Sequence, residues 1–342
     1  MSNNIIGLVL IDAPHSALNN AGLEASQSTE NTVAVKTLRK GRKTYPYVSG
    51  QAWRSWWRRT LEKDLKWQLS PIERADKTAF TAADPVEYPD DDVFGYMRAQ
   101  SVEIKEEGKK PKKQNITVTR LSPLKCSPLI SIEAQQPIND FGVMARHEGD
   151  PVPYEHQFYS TVLKGIFSLD LGAVGAFWDI NRTGYKNIAE SYVTKIKENG
   201  GGRTDDSSPW TLPKDVRLQR SKDTIKALSV LSGGAQLTSH LTDVTPKLII
   251  LAVIKGGNHP FMNLMVEREG KGEFSIPAFK QVLDDYKDRL SGPVYIGRRE
   301  GFMDELDSQF KEMTGASDGI IYDSINKVID RFSDNLAGHI GE

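Results

Sequence analysis

The sequence predicts an α+β fold on a ferredoxin-like core, and three observations carry that expectation. Two apolar runs, Ile5 to Ile11 and Lys247 to Ile254, are short, and the first is enriched in β-branched residues, as buried strands are. Two longer stretches read as helices: Gln51 to Trp67, free of Pro and Gly, and Asp215 to Leu231, stopped by Ser232-Gly233-Gly234. Their order is strand, helix, strand region, helix, strand, with insertions between, which is the order of a ferredoxin-like or RNA-recognition-type core. A doubly wound α/β sheet is the competing topology.

Each element has its own warrant. After the first strand, Asp12 to Asn31 holds turn residues around Leu18-Asn19-Asn20-Ala21-Gly22 and reads as a loop. Ser49 suits a helix N-cap, because its hydroxyl can accept from an orphan backbone N–H. Ser70 to Asn115 reads as an insertion. Within it, Asp90-Asp91-Asp92 is expected at an acidic loop tip, and Lys105 to Lys113 at a mobile hairpin tip or loop. Ile116 to Ile132 alternates but is broken by Pro123 and Pro128, as edge or bulged strands are. Asn139 to Tyr154 reads as a loop or protruding hairpin, and Gln157 to Leu171 as the best strand in the chain. Glu198 to Pro209 is loop, Lys247 to Ile254 suits a sheet centre, and Phe274 to Leu290 and Ile321 to Leu336 read as helices.

Composition bounds the function. With 342 residues, 38% hydrophobic and 26% charged, the chain suits one elaborated domain or two. No run approaches the roughly 18 apolar residues of a membrane span. The N-terminus lacks a basic signal region, and the single cysteine, Cys126, cannot form an internal disulfide or a thiolate metal cluster. A reducing cytoplasm is the expected location, with Cys126 a small packed residue.

Charge is the informative departure. The chain carries 44 Lys+Arg against 45 Asp+Glu, yet Asn31 to Leu61 contains no Asp or Glu. That segment gathers Lys36, Arg39, Lys40, Arg42, Lys43, Arg54, Arg58 and Arg59. A positive block in a near-neutral chain attracts polyanions, above all phosphodiester backbones, although a solvated basic face has the same composition. At helical spacing Gln51, Arg54 and Arg58 share one face, and Trp53, Trp56, Trp57 and Leu61 form a broad apolar face beside it. The tryptophans read as core. Arg supplies bidentate donors to phosphate, and the helix N-terminus adds free N–H groups.

Other chemistry is weakly supported. No phosphate-binding glycine loop, paired His/Cys metal spacing or nucleophile elbow is present. His15, just after the first strand, could act as a general base in RNA cleavage, though a hydrogen-bonded loop histidine is the plainer reading. Lys164-Gly165-Ile166-Phe167 faintly echoes an RNA-recognition strand but lacks its stacked aromatics, so it reads as core.

Taken in order, several segments resemble a known family. They are Leu18-Asn19-Asn20, Tyr47-Val48-Ser49-Gly50-Gln51 leading to Arg54 and Arg58, Asp91 to Met97, Arg120 to Leu124, Ser127-Pro128-Leu129, Asp140-Phe141-Gly142, the strand Tyr159 to Leu171, the Gly233-Gly234 turn and the strand Lys247 to Ile254. The chain resembles the Cascade backbone subunit of type I CRISPR systems, the seventh Cas protein, nearest its type I-B branch, over Ile5 to about Gly257.

The resemblance implies a modified RNA-recognition palm with finger and thumb insertions. Residues 1–69 would begin the palm, 70–138 form a finger-like insertion, 139–157 a thumb-like hairpin, 158–257 the rest of the palm, and 258–342 a helical part completing it. Copies would stack along one CRISPR RNA as a helical filament. Gln51, Arg54 and Arg58 would contact guide phosphates, with Asn19, Asn20, Ser49 and the loop bearing Lys36, Arg39, Lys40, Arg42 and Lys43 along the RNA path. Phe141 and Met144, with Arg146 nearby, would wedge between bases. Gly233, Gly234 and Gln236 suggest close approach to RNA, or a ligand-free helix cap. Implied partners are guide RNA, target DNA through the guide, further copies, the fifth, sixth and eighth Cas proteins, and a nuclease-helicase or transposition proteins.

No cofactor, metal or membrane is implied. Type III relatives cut RNA with an acidic palm-loop residue. Asp12 is nearby but in a different local pattern, so no catalysis is expected. The basic segment matches the family in charge, not in exact sequence. Two rivals stand beside this reading: an endoribonuclease that processes CRISPR precursor RNA with His15 as base, and a general single-strand coat protein.

Overall fold

The computed structural model describes residues 2–24, 32–75, 78–104, 112–146, 148–180, 182, 186–316 and 319–341. In chain order the elements that frame the site are β1 (Asn3–Ser16), β2 (Thr37–Lys40), β3 (Lys43–Val48), α1 (Gly50–Lys63), the short α2 (Pro89–Phe94), β4 (Leu129–Ser131), β5 (Ile138–Met144), β6 (Val152–Asp170), α3 (Lys214–Lys226) and β7 (Leu248–Lys255). Then follow α4 (Ile276–Asp285), β8 (Val294–Arg298), α5 (Asp307–Ala316), β9 (Ile320–Asp323) and α6 (Ile325–Asp334).

The main sheet runs β9-β8-β7-β1-β6-β4-β3-β2. Neighbours along it are antiparallel except β8 and β9, which are parallel, so the fold is α+β around a large mixed sheet. Gly7 at the middle of β1 faces Phe167 of β6 on one side and Leu251 of β7 on the other.

Both faces of the sheet are covered, which explains why Ile5–Ile11 of β1 and Leu248–Ile254 of β7 are continuously apolar rather than alternating. On one face α1, α3 and α6 bring Trp53, Trp57, Leu61, Ile225 and Val328 onto Ile5, Val9 and Phe167. Trp57 meets the edge of Phe167 at 5.1 Å and 86°, a geometry worth about 0.5–1.5 kcal/mol beyond burial. Its indole N–H donates to the Thr224 carbonyl at 2.7 Å, so α1 is tied to α3. The tryptophans are therefore core, as their spacing predicts. On the other face Phe261, Phe274, Phe279 and Phe310 cover Ile6, Leu8, Ile166 and Ile250.

Several expectations are corrected. The Asp12–Asn31 loop is largely strand: β1 continues to Ser16 and Asn20–Glu24 pairs with Thr32–Val35, while residues 25–31 lie outside the described residues. The basic loop is the β2–β3 hairpin, turning at Gly41. The first helix ends at Lys63, before Lys66 at φ 60°, rather than at Trp67. The C-terminal part holds β8 and β9 as well as helices, because these short runs carry no helical period to distinguish them.

Asp90, Asp91 and Asp92 are not an acidic loop tip. They form the first turn of α2 and are 2%, 1% and 0% exposed. Asp90 accepts from the Ser70 N–H at 2.9 Å, and Asp91 from the Asp84 N–H at 3.0 Å. Burial pushes both carboxyls above the ordinary range. Asp92 is bound by Arg120 and Arg220 and by the Gly175 N–H. The polar run Lys105 to Lys113 joins two strands paired at Ile104 and Lys112, with residues 105–111 outside the described residues.

Candidate nucleic-acid interface

The site is assembled where β1, β3 and the start of α1 meet. Ser49 is the N-cap, its hydroxyl accepting from the Ala52 N–H at 3.2 Å. The first turn of α1 carries no acidic residue, so its free N–H groups and dipole are uncompensated by any side chain of that turn. The Asn19 side-chain oxygen accepts from the Ser49 N–H at 3.0 Å, and the Asn19 carbonyl from the Lys36 N–H at 2.9 Å. Asn19 thus fixes the base of the basic hairpin against the helix start.

The hairpin is the edge of the sheet. Arg39, Lys40, Arg42 and Lys43 are exposed and Lys36 is half-buried. Lys43 pairs with Glu267 at 2.7 Å, whereas Arg39 and Arg42 reach into solvent. Edge lysines also discourage strand-on-strand association, so charge there has a structural use as well.

A second segment closes the patch. Ala235 N–H donates to the Leu18 carbonyl at 3.0 Å and Ser232 N–H to the Thr60 hydroxyl at 3.1 Å. A Cβ on Gly233, at φ 155°, would lie 2.3 Å from Trp56, and one on Gly234, at φ 125°, 2.7 Å from Leu18. The close approach these glycines permit is to the protein's own α1 and to Leu18, just after β1. Neither caps a helix, since α3 and the short 3-10 turn after it end by Val230. Gln236 follows at φ 54° and is half-buried. Asn19, Asn20, Lys36, Ser49, the exposed Gln51 and Gly233–Gln236 are thereby brought to one region. The buried side-chain oxygen of Asn20 has no hydrogen-bond donor among the described residues.

Arg54 and Arg58 stand differently. Arg54 donates to the Leu124 carbonyl, to the Phe94 carbonyl at 2.8 Å and to Ser122 at 3.0 Å. Burial holds its guanidinium below the ordinary arginine value. Arg58 lies 4.9 Å over the Phe94 ring and 3.6 Å from Asp90. Both tie α1 to α2. Beside Arg54, burial pushes the Cys126 thiol up to about 12, so it stays protonated.

Phe141 and Met144 stand on a separate hairpin and Arg146 just beyond its first strand; the hairpin's second strand pairs with Thr32–Val33, beside the strand that begins at Asn20. Residues 138–144 pair with 152–158 as a hairpin that continues β6 out of the sheet. Phe141 and Met144 are each 57% exposed, and Ile138 and Val143 are exposed beside them. These apolar side chains stand in solvent rather than in the core.

His15 is exposed at φ 44°. The His240 Nδ1–H donates to its carbonyl at 3.0 Å, and Phe158 lies 5.5 Å from the His15 ring and 5.7 Å from that of His240. Sequence reading did not bring these two histidines together, because 225 residues separate them in the chain. Among the described residues no group of three His, Cys, Asp or Glu is placed to hold a metal, and no helix is long and apolar enough to cross a membrane.

This fold is shared by chains of solved CRISPR assemblies. One, from a "CRISPR RNA-guided surveillance complex", matches with TM-score 0.52 and 13% identity, covering 97% of this chain and 98% of that one. Another, from a "CRISPR RNA-guided surveillance complex, pre-nicking", matches with TM-score 0.53 and 13% identity, covering 97% and 99%. The chain belongs to the CRISPR-associated DevR/Csa2 family, whose model, described as "CRISPR-associated negative auto-regulator DevR/Csa2", matches residues 13–273. No curated protein sequence matches.

Proposed function

We propose that this chain is a CRISPR-RNA-binding backbone subunit of a type I, I-B-like Cascade effector. It polymerises along the guide, holds its phosphates and leaves its bases free for target DNA. The carrying observation is the β2–β3 hairpin, whose exposed Arg39, Lys40 and Arg42 lead into an α1 N-terminus with no acidic residue in its first turn. Phosphate contacts position a strand without reading it, which suits a guide of changing sequence.

The strand order β7-β1-β6-β4 supports an RNA-recognition palm, since it places the first strand between the last and the third. The face on which such a sheet would stack bases is filled by the Phe261 and Phe279 layer, which favours backbone recognition over base reading. The apolar hairpin around Phe141 and Met144 suits a wedge between bases or a contact with the next copy. Within this reading the chain is cytoplasmic and non-catalytic. It works with further copies, the fifth, sixth and eighth Cas proteins, and a nuclease-helicase or transposition proteins.

The test is to purify the chain from cells expressing a CRISPR array, size it, and sequence the co-eluting nucleic acid. High-mass particles with discrete spacer-bearing RNA are expected. Indiscriminate cellular RNA would instead indicate a general coat protein. A second reading, an endoribonuclease, is favoured by the His15–His240 contact. Labelled repeat RNA cut at one site by the wild type, and left intact by His15→Ala, would establish it.

A further inference from the structure

Beside the basic hairpin, on the sheet face away from α1, a cavity of about 180 Å³ opens between β2, β3, β6 and the Met265–Phe274 hairpin. Lys40, Tyr45, Lys164 and Glu267 line its polar side. The Glu267 carboxylate is engaged: one oxygen accepts from Lys43 at 2.7 Å and the other from the Tyr45 hydroxyl at 2.7 Å. Lys164 projects from the middle of β6 and donates to the Met262 carbonyl at 3.0 Å. Lys40 lies 5.3 Å over the Tyr45 ring. Neither lysine is within ion-pair distance of a carboxylate among the described residues.

Two ammonium groups facing one small cavity without a free carboxylate leave it positive. Burial, and next the charge of Lys40, hold Lys164 below the ordinary lysine range. An ammonium has three donors, and Lys164 has one engaged, so two remain for an acceptor in the cavity. The volume lies below the roughly 300 Å³ at which pockets begin to take drug-sized ligands. It suits a single phosphate group rather than a nucleoside.

We propose that Lys40 and Lys164 form a seat for one phosphate group. In the RNA-loaded protein the occupant is a phosphodiester of the guide strand, and that part rests on the function proposed above. The cation seat itself does not. Lys164 extends the RNA path past the hairpin onto the second sheet face, through a lysine that lies in a strand of the core.

The experiment compares wild type with Lys164→Met, Lys164→Arg and the exposed Lys40→Gln on the full chain. The first probe is inorganic phosphate at constant ionic strength, read by thermal melting. Wild type and Lys164→Arg should rise in melting temperature, and Lys164→Met and Lys40→Gln should not. The second probe is guide RNA, read as the slope of log affinity against log salt. Lys164→Met should lower that slope by about 0.7, the value for one single-strand phosphate contact.

A phosphate response with an unchanged RNA slope would keep the seat and assign it to free anion, removing the guide strand as occupant. No difference from wild type in either probe would overturn the proposal. Should the wild type bind no RNA, the backbone-subunit reading falls while the phosphate arm still decides the seat. Lys164→Met exchanges a half-buried charge for an apolar chain of similar length, and Lys40→Gln controls for folding.

Discussion

Asp92 and Arg220 meet at 2.7 Å across 128 residues of chain, with Asp92 having no exposed surface. Arg120 binds the other carboxylate oxygen, and the Gly175 N–H donates to both. Arg120 also donates to the Asp92 carbonyl at 2.7 Å and lies 4.6 Å over the Phe177 ring. One carboxylate thereby joins α2, the strand ending at Arg120 and helix α3. Asp91 to Met97 and Arg120 to Leu124 are thus two sides of one buried junction.

Breaking that junction should be costly. Asp92→Asn leaves two guanidiniums without their counter-charge, and a loss of about 3–5 kcal/mol in unfolding free energy is expected. Urea titration followed by tryptophan fluorescence measures it. A loss below about 1 kcal/mol would mean that the carbonyls around Arg120 and Arg220 suffice.

Gly95 should tolerate no side chain. It sits at φ 77°, and a Cβ would lie 2.5 Å from the Arg120 carbonyl oxygen. The left-handed backbone alone costs a non-glycine residue about 1–3 kcal/mol, and the clash adds to it. Gly95→Ala should therefore lower the urea midpoint, whereas Gly41→Ala, also at positive φ but in open space, should lower it less.

Stability should fall with acid through His259. Its Nε2–H donates to the Gly7 carbonyl at 3.1 Å and the Phe167 carbonyl at 3.0 Å, and burial holds the imidazole below its ordinary value. The unfolded chain then binds the proton first, so this contribution is complete above about pH 6.5 and is lost as pH falls below it. Urea midpoints at two pH values, one above and one below 6.5, should differ more for wild type than for His259→Gln. Equal differences would remove His259 as the cause.

Guide binding, under the proposed function, should depend on the hairpin arginines without regard to sequence. Arg39→Ala with Arg42→Ala should lower the slope of log affinity against log salt by about 1.4, or 0.7 for each lost phosphate contact. Two RNAs of unrelated sequence should show the same loss. A loss confined to one RNA would indicate base reading.

Much of the fold was legible because burial imposes a period. The tryptophans at Trp53, Trp56 and Trp57 announced a packed helix face, and Ser49 its start, since a side-chain acceptor before a helical run satisfies N–H groups that nothing else does. The strand at Lys247 to Ile254 was legible because strands buried on both faces are continuously apolar, and that at Tyr159 to Leu171 because its buried apolar residues largely alternate with less buried ones. Charge density alone located the basic hairpin, but not its conformation: Lys40 and Lys43 are directly paired across it, and the turn at Gly41 gives no signal strong enough to separate hairpin from loop.

The site was only partly legible, because a sequence does not say which partner a polar group will meet. Arg54 and Arg58 share a helix face as their spacing requires, yet that face looks onto Phe94 and Asp90. Three consecutive aspartates read as surface because burying a carboxylate needs partners, and those partners, Arg120 and Arg220, are distant in the chain. By itself the sequence determined the local order of strands and helices, their buried faces and where positive charge is dense, since these depend on residues a few positions apart. Only the tertiary structure decided which charges are neutralised, which glycines meet the protein's own core, and that Lys40 and Lys164 face one cavity. Those outcomes depend on contacts between segments that the chain brings together only when the sheet closes.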